Sequence, residues 1–325
     1  MNVSEIIEDW LGGVSPVDLV LCLTGSVLLG CWLLRTSLGT RALIGSPTRR
    51  NNMPLFLPFL LLFASYFFVA LSNSILMWLL PDLSNTQEVI LGNLNICLSS
   101  LVMIVIILIL VRHFFARGLK GFGLNIKAFL YTCIFILFVP GIVAVIILCA
   151  RAHFTPRLRR ILQNIIDVLK DFFYAFVNLL TMWPLIMLAF AVTVYLGRFF
   201  YGPDFQMQKH QALETISEHP QLLLRILVTV VAVLVAPVLE ELLFRGLFQT
   251  AIRSVLYTKK HAPWLAIAIS SGLFVMMHID LSHWPALYVL GVGMGYSYEK
   301  SGSLFRPMFM HILFNATSVV SVWVQ

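Results

Sequence analysis

The sequence predicts an all-α, polytopic bundle of about eight or nine membrane helices, counted at about 20 apolar residues per crossing. Three observations predict it. Charged residues are 11% and apolar residues 59% of 325 positions, against roughly 25% charge in a soluble domain. The mean hydropathy is +0.91. The apolar residues gather into long runs divided by short basic or turn-forming links. So few charges cannot cover a soluble particle of this size, so lipid is the solvent for much of the surface. Backbone groups in lipid must be satisfied within the segment, which selects helices.

The runs fall at 17–34, 54–80, 89–111, 128–150, 173–197, 221–248, 263–281, 284–298 and 304–324, with 284–298 short enough to be tilted or partly embedded. Before the first run stand Glu5, Glu8 and Asp9 with no basic residue, so a cleavable signal peptide is not expected. The link 35–53 carries Arg35, Arg41, Arg49 and Arg50, and 112–127 carries Arg112, Arg117, Lys120 and Lys127, both without an acid. The turn near 81–88 carries Pro81, Asp82, Asn85 and Glu88. Basic links stay in the cytoplasm, so 35–53 and 112–127 are expected inside and 81–88 outside.

Strict alternation would then put 151–171, with Arg151, Arg157, Arg159, Arg160 and Lys170, outside. Leu158, Ile161, Leu162, Ile165, Ile166 and Leu169 share one helical face. The segment therefore reads as an amphipathic interfacial helix on the basic leaflet. Pro140-Gly141, inside the 128–150 run, offers a break that would allow this. The stretch also marks a division into accessory membrane helices, 1–171, and a functional half, 172–325.

The net charge of +7, from 22 Lys and Arg, suits anionic headgroups. No basic tract is interleaved with aromatics as nucleic-acid binding would require. Cys22, Cys31, Cys97, Cys133 and Cys149 all lie in apolar runs, without a CxxC pair, and read as packing residues. None lies in the functional half, which therefore does not use thiol chemistry.

Polar residues inside apolar helices carry the chemistry. In Val-Leu-Glu-Glu-Leu-Leu-Phe-Arg, Glu240, Glu241 and Arg245 stand within an apolar run, where each charge costs roughly 2.5–3.5 kcal/mol at a helix centre. Glu241 and Arg245 are four apart and can pair. Glu240 is rotated by about 100° and is left for chemistry. His278 follows Phe274 by one turn, and His311 precedes Asn315 by one turn. Each could be a packing residue alone; together, on three helices, they must face one another to avoid lipid. A carboxylate, two imidazoles and an amide supply a base and hydrogen-bond donors sufficient for amide hydrolysis. His283, in a polar link with Asp280 and Ser282, belongs at the membrane surface.

These motifs, in this order, resemble the CAAX protease and bacteriocin-processing family of intramembrane endopeptidases, which includes the type II CAAX prenyl endopeptidases. The family pattern is Glu-Glu-x-x-x-Arg, Phe-x-x-x-His and His-x-x-x-Asn or -Asp; here Glu240 to Arg245, Phe274 to His278 and His311 to Asn315 complete it. The resemblance covers about residues 172–325. It implies that Glu240, with His278, activates the attacking water, that His311 and Asn315 steady the oxyanion, and that Glu241 holds Arg245 and the helix geometry. Zinc on Glu240, His278, His311 and Asn315 is an alternative; the metal-free account is favoured because zinc sites rarely use Asn. The substrate implied is a membrane-associated peptide or lipidated, CAAX-like protein, and the location an integral, multi-pass one in a bacterial cytoplasmic membrane.

No His-Glu-x-x-His is present. Gly291, Gly293 and Gly295 lack a presenilin-type Asp, and Ser270-Ser271-Gly272 lacks a rhomboid pattern; those glycines read as sites of close helix approach. A silent scaffold or bacteriocin-immunity protein is the competing reading. A proton-coupled transporter is disfavoured because no matching pair of broken segments occurs. Arg253, Lys259 and Lys260, after the glutamate helix, point to a cytoplasmic mouth.

Overall fold

The computed structural model describes residues 15–137, 156–208 and 210–323. Glu5, Glu8, Asp9, Pro140-Gly141, Cys149, Arg151 and the second half of the expected 128–150 run lie outside the described residues. The described chain is an all-α membrane bundle, with no strand beyond one isolated bridge between Asn51 and Phe115.

Its helices are α1 (Pro16–Arg35), α2 (Leu57–Leu79), α3 (Asn85–Phe114), α4 (Gly118–Phe122), α5 (Ile126–Leu137), α6 (Pro156–Tyr201), α7 (Gln211–Glu218), α8 (Leu222–Val255), α9 (Ala262–Met276), α10 (Trp284–Ser301) and α11 (Phe305–Trp323). Local chemistry sets several ends. Ser15 Oγ accepts from the Asp18 N–H at the start of α1, and Gln87 Oε1 accepts from the Ser84 N–H at the start of α3. Gly302, at φ +73°, closes α10. Helices α1, α2, α3, α6 and α8 are long and apolar enough to cross a membrane. The shorter or more polar α9, α10 and α11 run beside them between the same two ends. They need less apolar surface because they face protein rather than lipid.

One end of the bundle is tied together by its links. Ala116 N donates to Arg50 O and Asn52 N to Phe114 O; Leu304 N donates to Gly123 O and Asn51 Nδ2 to Ser254 Oγ. Lys300 Nζ reaches Ala42 O, Asn125 Nδ2 reaches Asn164 Oδ1, and Arg306 pairs with Asp171 at 2.9 Å. Every Lys and Arg in the sequence except Arg151, Arg198, Lys209, Arg225 and Arg245 belongs to this end. The opposite end gathers the start of α1, the turn at 80–84, the segment from Gly202 into α7, and the link after α9. It carries Asp18, Asp82, Glu88, Asp204, Glu214, Glu218 and Asp280.

This arrangement corrects one expectation. The segment read as an in-plane helix and the span at 173–197 form a single helix, α6, of 46 residues. At 1.5 Å per residue it is about 69 Å long, more than twice a hydrocarbon core of about 30 Å. A basic first portion on a helix that overshoots the bilayer has the same amphipathic spacing as an in-plane helix, because its apolar face packs on α5. Asn164, bonded to Asn125, sits at the end that holds the other basic residues.

The basic end is closed by a buried carboxylate that sequence reasoning missed. Glu299, 1% exposed, accepts from Arg253 Nε at 3.2 Å and Ser46 Oγ at 3.3 Å on Oε1, and from Gln249 Nε2 at 3.3 Å on Oε2. Arg49 Nη1 lies 3.5 Å from Oε2, and its other nitrogen donates to Tyr298 O at 2.7 Å. Arg49 also lies over the Tyr298 ring, 3.5 Å from its centroid. The link before α2 is thus pinned to α8 and α10. Removing one partner strands buried charge, at about 3–5 kcal/mol. Glu299→Ala is expected to lower the melting temperature in detergent and expose the 36–53 link to protease; an unchanged melt and unchanged cleavage would refute this role.

Candidate active site

Two π-helical stretches in α8, Val231–Val235 and Leu242–Gln249, flank the α-helical turn Ala236–Glu241 that carries the glutamates. A π turn takes one residue more than an α turn and so rotates the residues after it by one position. Ala236 N–H bonds the Val231 carbonyl, five residues back. The next bond in that register would run from residue 237 to the Ala232 carbonyl, but residue 237 is proline and has no N–H. Asn315 Nδ2 supplies the missing donor to Ala232 O, at 2.8 Å.

After this turn the adjacent carboxylates diverge. Glu241 is 0% exposed, and its Oε1 accepts Arg245 Nη1 at 2.7 Å, the pairing expected from the spacing of four. The same oxygen accepts His311 Nδ1 at 2.9 Å. Arg245, 1% exposed, donates its second nitrogen to Gly291 O at 3.2 Å. The Glu240 side chain is 30% exposed, and its Oε2 lies 3.7 Å from His311 Nε2, beyond a direct hydrogen bond.

Phe274, fully buried, joins the remaining parts. Its ring centroid is 4.6 Å from the Arg245 guanidinium, 4.8 Å from the His278 ring and 5.8 Å from the His311 ring. The His278 ring nitrogen Nδ1 lies 3.0 Å from Phe274 O. A carbonyl only accepts, so Nδ1 carries the proton and neutral His278 keeps a bare lone pair on Nε2. Trp284 Nε1 donates to the His278 carbonyl at 2.9 Å, anchoring the start of α10 beside it. His283 pairs with Asp280 at 2.8 Å in the polar link beyond.

The structure therefore brings Glu240, Glu241, Arg245, Phe274, His278 and His311 into one cluster. Asn315, one turn from His311, spends one amide hydrogen on the backbone of α8. Among the described residues, no three His, Cys, Asp or Glu side chains converge to hold a metal ion. Of the four suggested zinc ligands, His311 has its Nδ1 held by Glu241 and Asn315 its Nδ2 by Ala232 O, which leaves His311 Nε2 and Asn315 Oδ1 as the atoms that would face a metal.

Beneath the site, α8 and α10 run parallel in register. Arg245 bonds Gly291 O, Gln249 Nε2 bonds Gly295 O and Arg253 pairs with Glu299, each pair 46 positions apart. A Cβ on Gly295 would sit 2.9 Å from Gln249 Oε1, and one on Gly291 3.1 Å from Ser271 Cβ. The glycines are thus sites of close helix approach, as their spacing predicts. Gln249 and Glu299 were not anticipated as partners of the site. Their signal is the spacing of four through 241, 245, 249 and 253, and through 291, 295 and 299.

Residues 222–317 match the family described as Type II CAAX prenyl endopeptidase Rce1-like, in agreement with the motif resemblance. A Bacillus subtilis (strain 168) protein described as a candidate membrane peptidase, YdiL, is 31% identical over 94 residues, which cover 29% of this chain and 36% of that protein. The chain thus spans about a third of the length of that relative. No solved structure matches.

The geometry fixes two expected outcomes. Glu241→Gln leaves Arg245 buried without a carboxylate and is expected to destabilise the protein by about 3–5 kcal/mol, read as a lower melting temperature; a wild-type melt would remove Glu241 as the anchor. If Asn315 replaces the N–H that Pro237 lacks, Asn315→Ala should cost about 1 kcal/mol less in a Pro237→Ala background, where residue 237 regains a donor. Additive effects in that double-mutant cycle would sever the link.

Proposed function

We propose that this chain is an intramembrane endopeptidase that hydrolyses a peptide bond of a membrane-associated, CAAX-like or lipidated substrate. The single observation that carries the reading is the Glu240 carboxylate. It is partly exposed, sits 3.7 Å from the buried His311 ring, and occupies a helix centre where an exposed charge is tolerated only beside water. The family match supports the reaction class.

In this reading a water lies between Glu240 and the bare Nε2 of His278. Glu240 takes a proton as the water oxygen attacks the scissile carbonyl carbon. Negative charge then develops on the carbonyl oxygen. His311, donating from Nε2, and the second amide hydrogen of Asn315 stabilise it. For His311 to donate there it must carry both ring protons, and the carboxylates on either side of the ring, Glu240 and Glu241, balance that charge. Glu240 returns its proton to the amide nitrogen, the C–N bond breaks, and a carboxylic acid and an amine leave.

Residues 172–325 carry this chemistry. Residues 1–171 act as accessory helices that complete its packing through Arg49 and Asp171. The bacterial relative is consistent with a bacterial cytoplasmic membrane.

Positioned acid–base groups contribute about 10²–10⁴ in rate. Glu240→Gln and His278→Ala are expected to lower cleavage of a membrane-anchored reporter peptide by that order while the melting temperature stays near wild type. Because Glu240 bonds nothing that holds the fold, folded and inserted Glu240→Gln protein with full turnover would end the protease reading and leave the scaffold reading standing.

A further inference from the structure

One side chain from the first 171 residues stands beside the carboxylate proposed to react. Tyr66 lies on α2, two residues from the midpoint, 68, of the helix Leu57–Leu79. Tyrosines of membrane helices gather at the two interfaces, where the hydroxyl meets water. At mid-span lipid offers the hydroxyl no partner, and leaving it unbonded there is costly. Phe63, Phe67 and Phe68 occupy the neighbouring positions, so a ring without the oxygen serves where only lipid is faced. Tyr66 is 53% exposed, and among the described residues its hydroxyl makes no hydrogen bond.

Helix packing aims that hydroxyl at Glu240. α2 leaves the basic end and α8 runs towards it, so the two pack antiparallel. Phe59 and Phe248 mark the contact, their rings edge to face at 4.8 Å. Tyr66 is seven positions after Phe59, two turns along the same face of α2. Glu240 is eight positions before Phe248, two turns back along α8 once the wider π turns are allowed for. The two side chains therefore come level, and the Tyr66 hydroxyl is close enough to the Glu240 carboxylate to feel its charge.

The rotation of α2 that sets this direction is fixed on two other sides. Ser65 is buried, with its hydroxyl on Leu62 O. From α3, Asn95 Nδ2 donates to Val69 O at 3.1 Å, and Asn95 Oδ1 accepts from Ser72 Oγ at 2.7 Å. Such bonds hold helices together where lipid cannot replace them. α3 packs in turn on the Ala236–Glu241 turn. Glu240 is thus approached by His311 from α11, 3.7 Å away, and by Tyr66 from α2.

We infer that Tyr66 is a substrate-binding residue of the candidate active site, its hydroxyl donating to a backbone carbonyl of the peptide next to the bond that is cut. A peptide bond placed where Glu240 can act on it passes within reach of that hydroxyl. The phenol is an uncharged donor on a stiff ring, so it can hold a peptide backbone without adding a charge to an apolar span. The accessory helices then contribute a side chain to the site as well as packing. The binding role rests on the peptidase reading; the position of Tyr66 beside Glu240 does not.

The test uses the full chain in proteoliposomes and the membrane-anchored reporter peptide. Loss of one neutral hydrogen bond to the bound peptide is expected to raise KM about three- to tenfold in Tyr66→Phe. The kcat and melting temperature should stay near wild type, and Phe67→Leu should leave all three unchanged. An unchanged KM in Tyr66→Phe, with cleavage still dependent on Glu240, overturns the inference and leaves the peptidase reading intact. A lowered melting temperature in Tyr66→Phe overturns it in favour of a structural role. Position is tested without turnover, in a chain whose native cysteines are replaced by serine. A short bifunctional thiol reagent is expected to cross-link Tyr66→Cys to Glu240→Cys but not Phe67→Cys to Glu240→Cys, read by mass spectrometry of the digested protein. Absence of the first cross-link, or equal yield of both, overturns the placement. The expected cross-link in a protein without Glu240-dependent cleavage would defeat the peptidase reading, and the binding role with it, while upholding the placement.

Discussion

One oxygen atom holds the centre of this protein together. Glu241 Oε1 accepts from Arg245 and from His311, and Arg245 passes the connection on to the Gly291 carbonyl. Helices α8 and α11 meet at that atom, and α10 joins them through Arg245; Glu241 is 0% exposed. Charges buried this deeply are tolerated only when each is paired and hydrogen-bonded, so the three side chains fix one another's positions. The His311 ring gains its orientation from this arrangement, because its Nδ1 is committed to Glu241 and its Nε2 must then point towards Glu240. The buried part of the cluster thus aims the His311 ring at Glu240, the carboxylate proposed to react.

The helix backbone is adapted to the same end. A regular α-helix through 222–255 would carry Glu240 and Glu241 on neighbouring faces but would not by itself choose which face meets α11. The π turn before Pro237 shifts the register, and the proline leaves one carbonyl without its donor. In lipid such a carbonyl is costly. Asn315 satisfies it from α11, the helix that also brings His311. The irregular turn and the histidine therefore arrive by the same contact, so the rotation of the glutamates and their distance from the imidazole are coupled.

Much of this was legible in the sequence because lipid makes polar residues conspicuous. Glu240, Glu241, Arg245, His278, His311 and Asn315 stand out within apolar runs, and the spacing of four gave the Glu241–Arg245 pair its geometry. Glu299 was not legible for the opposite reason: beside Lys300 at the end of an apolar run, it has the sequence context of an interface residue. Only its partners Arg49 and Arg253, each in a link counted as cytoplasmic, make it a buried centre. The long α6 escaped because an in-plane helix and a helix that overshoots the bilayer share the same hydrophobic period. The bond from Asn315 to Ala232 has no sequence signal short of knowing that α8 leaves the α register at 231.

The contrast between Glu240 and Glu241 shows how one helix can separate a buried, paired carboxylate from a partly exposed one. They are the same residue type, adjacent in sequence, and about 100° apart on the helix. One is fully buried above Arg245, Gln249 and Glu299, which follow in successive polar layers towards the basic end. The other has a side chain that is 30% exposed. Glu241 is paired and shielded, whereas Glu240 is partly exposed and has the His311 imidazole 3.7 Å away without being bonded to it. Hydrolysis inside a membrane requires both conditions within a few ångströms: a dry scaffold that does not shift, and a wet carboxylate that can take up a proton. In the proposed reaction, adjacent positions on an irregular helix would meet that requirement without a loop or a separate domain, one carboxylate being fully buried and the other partly exposed.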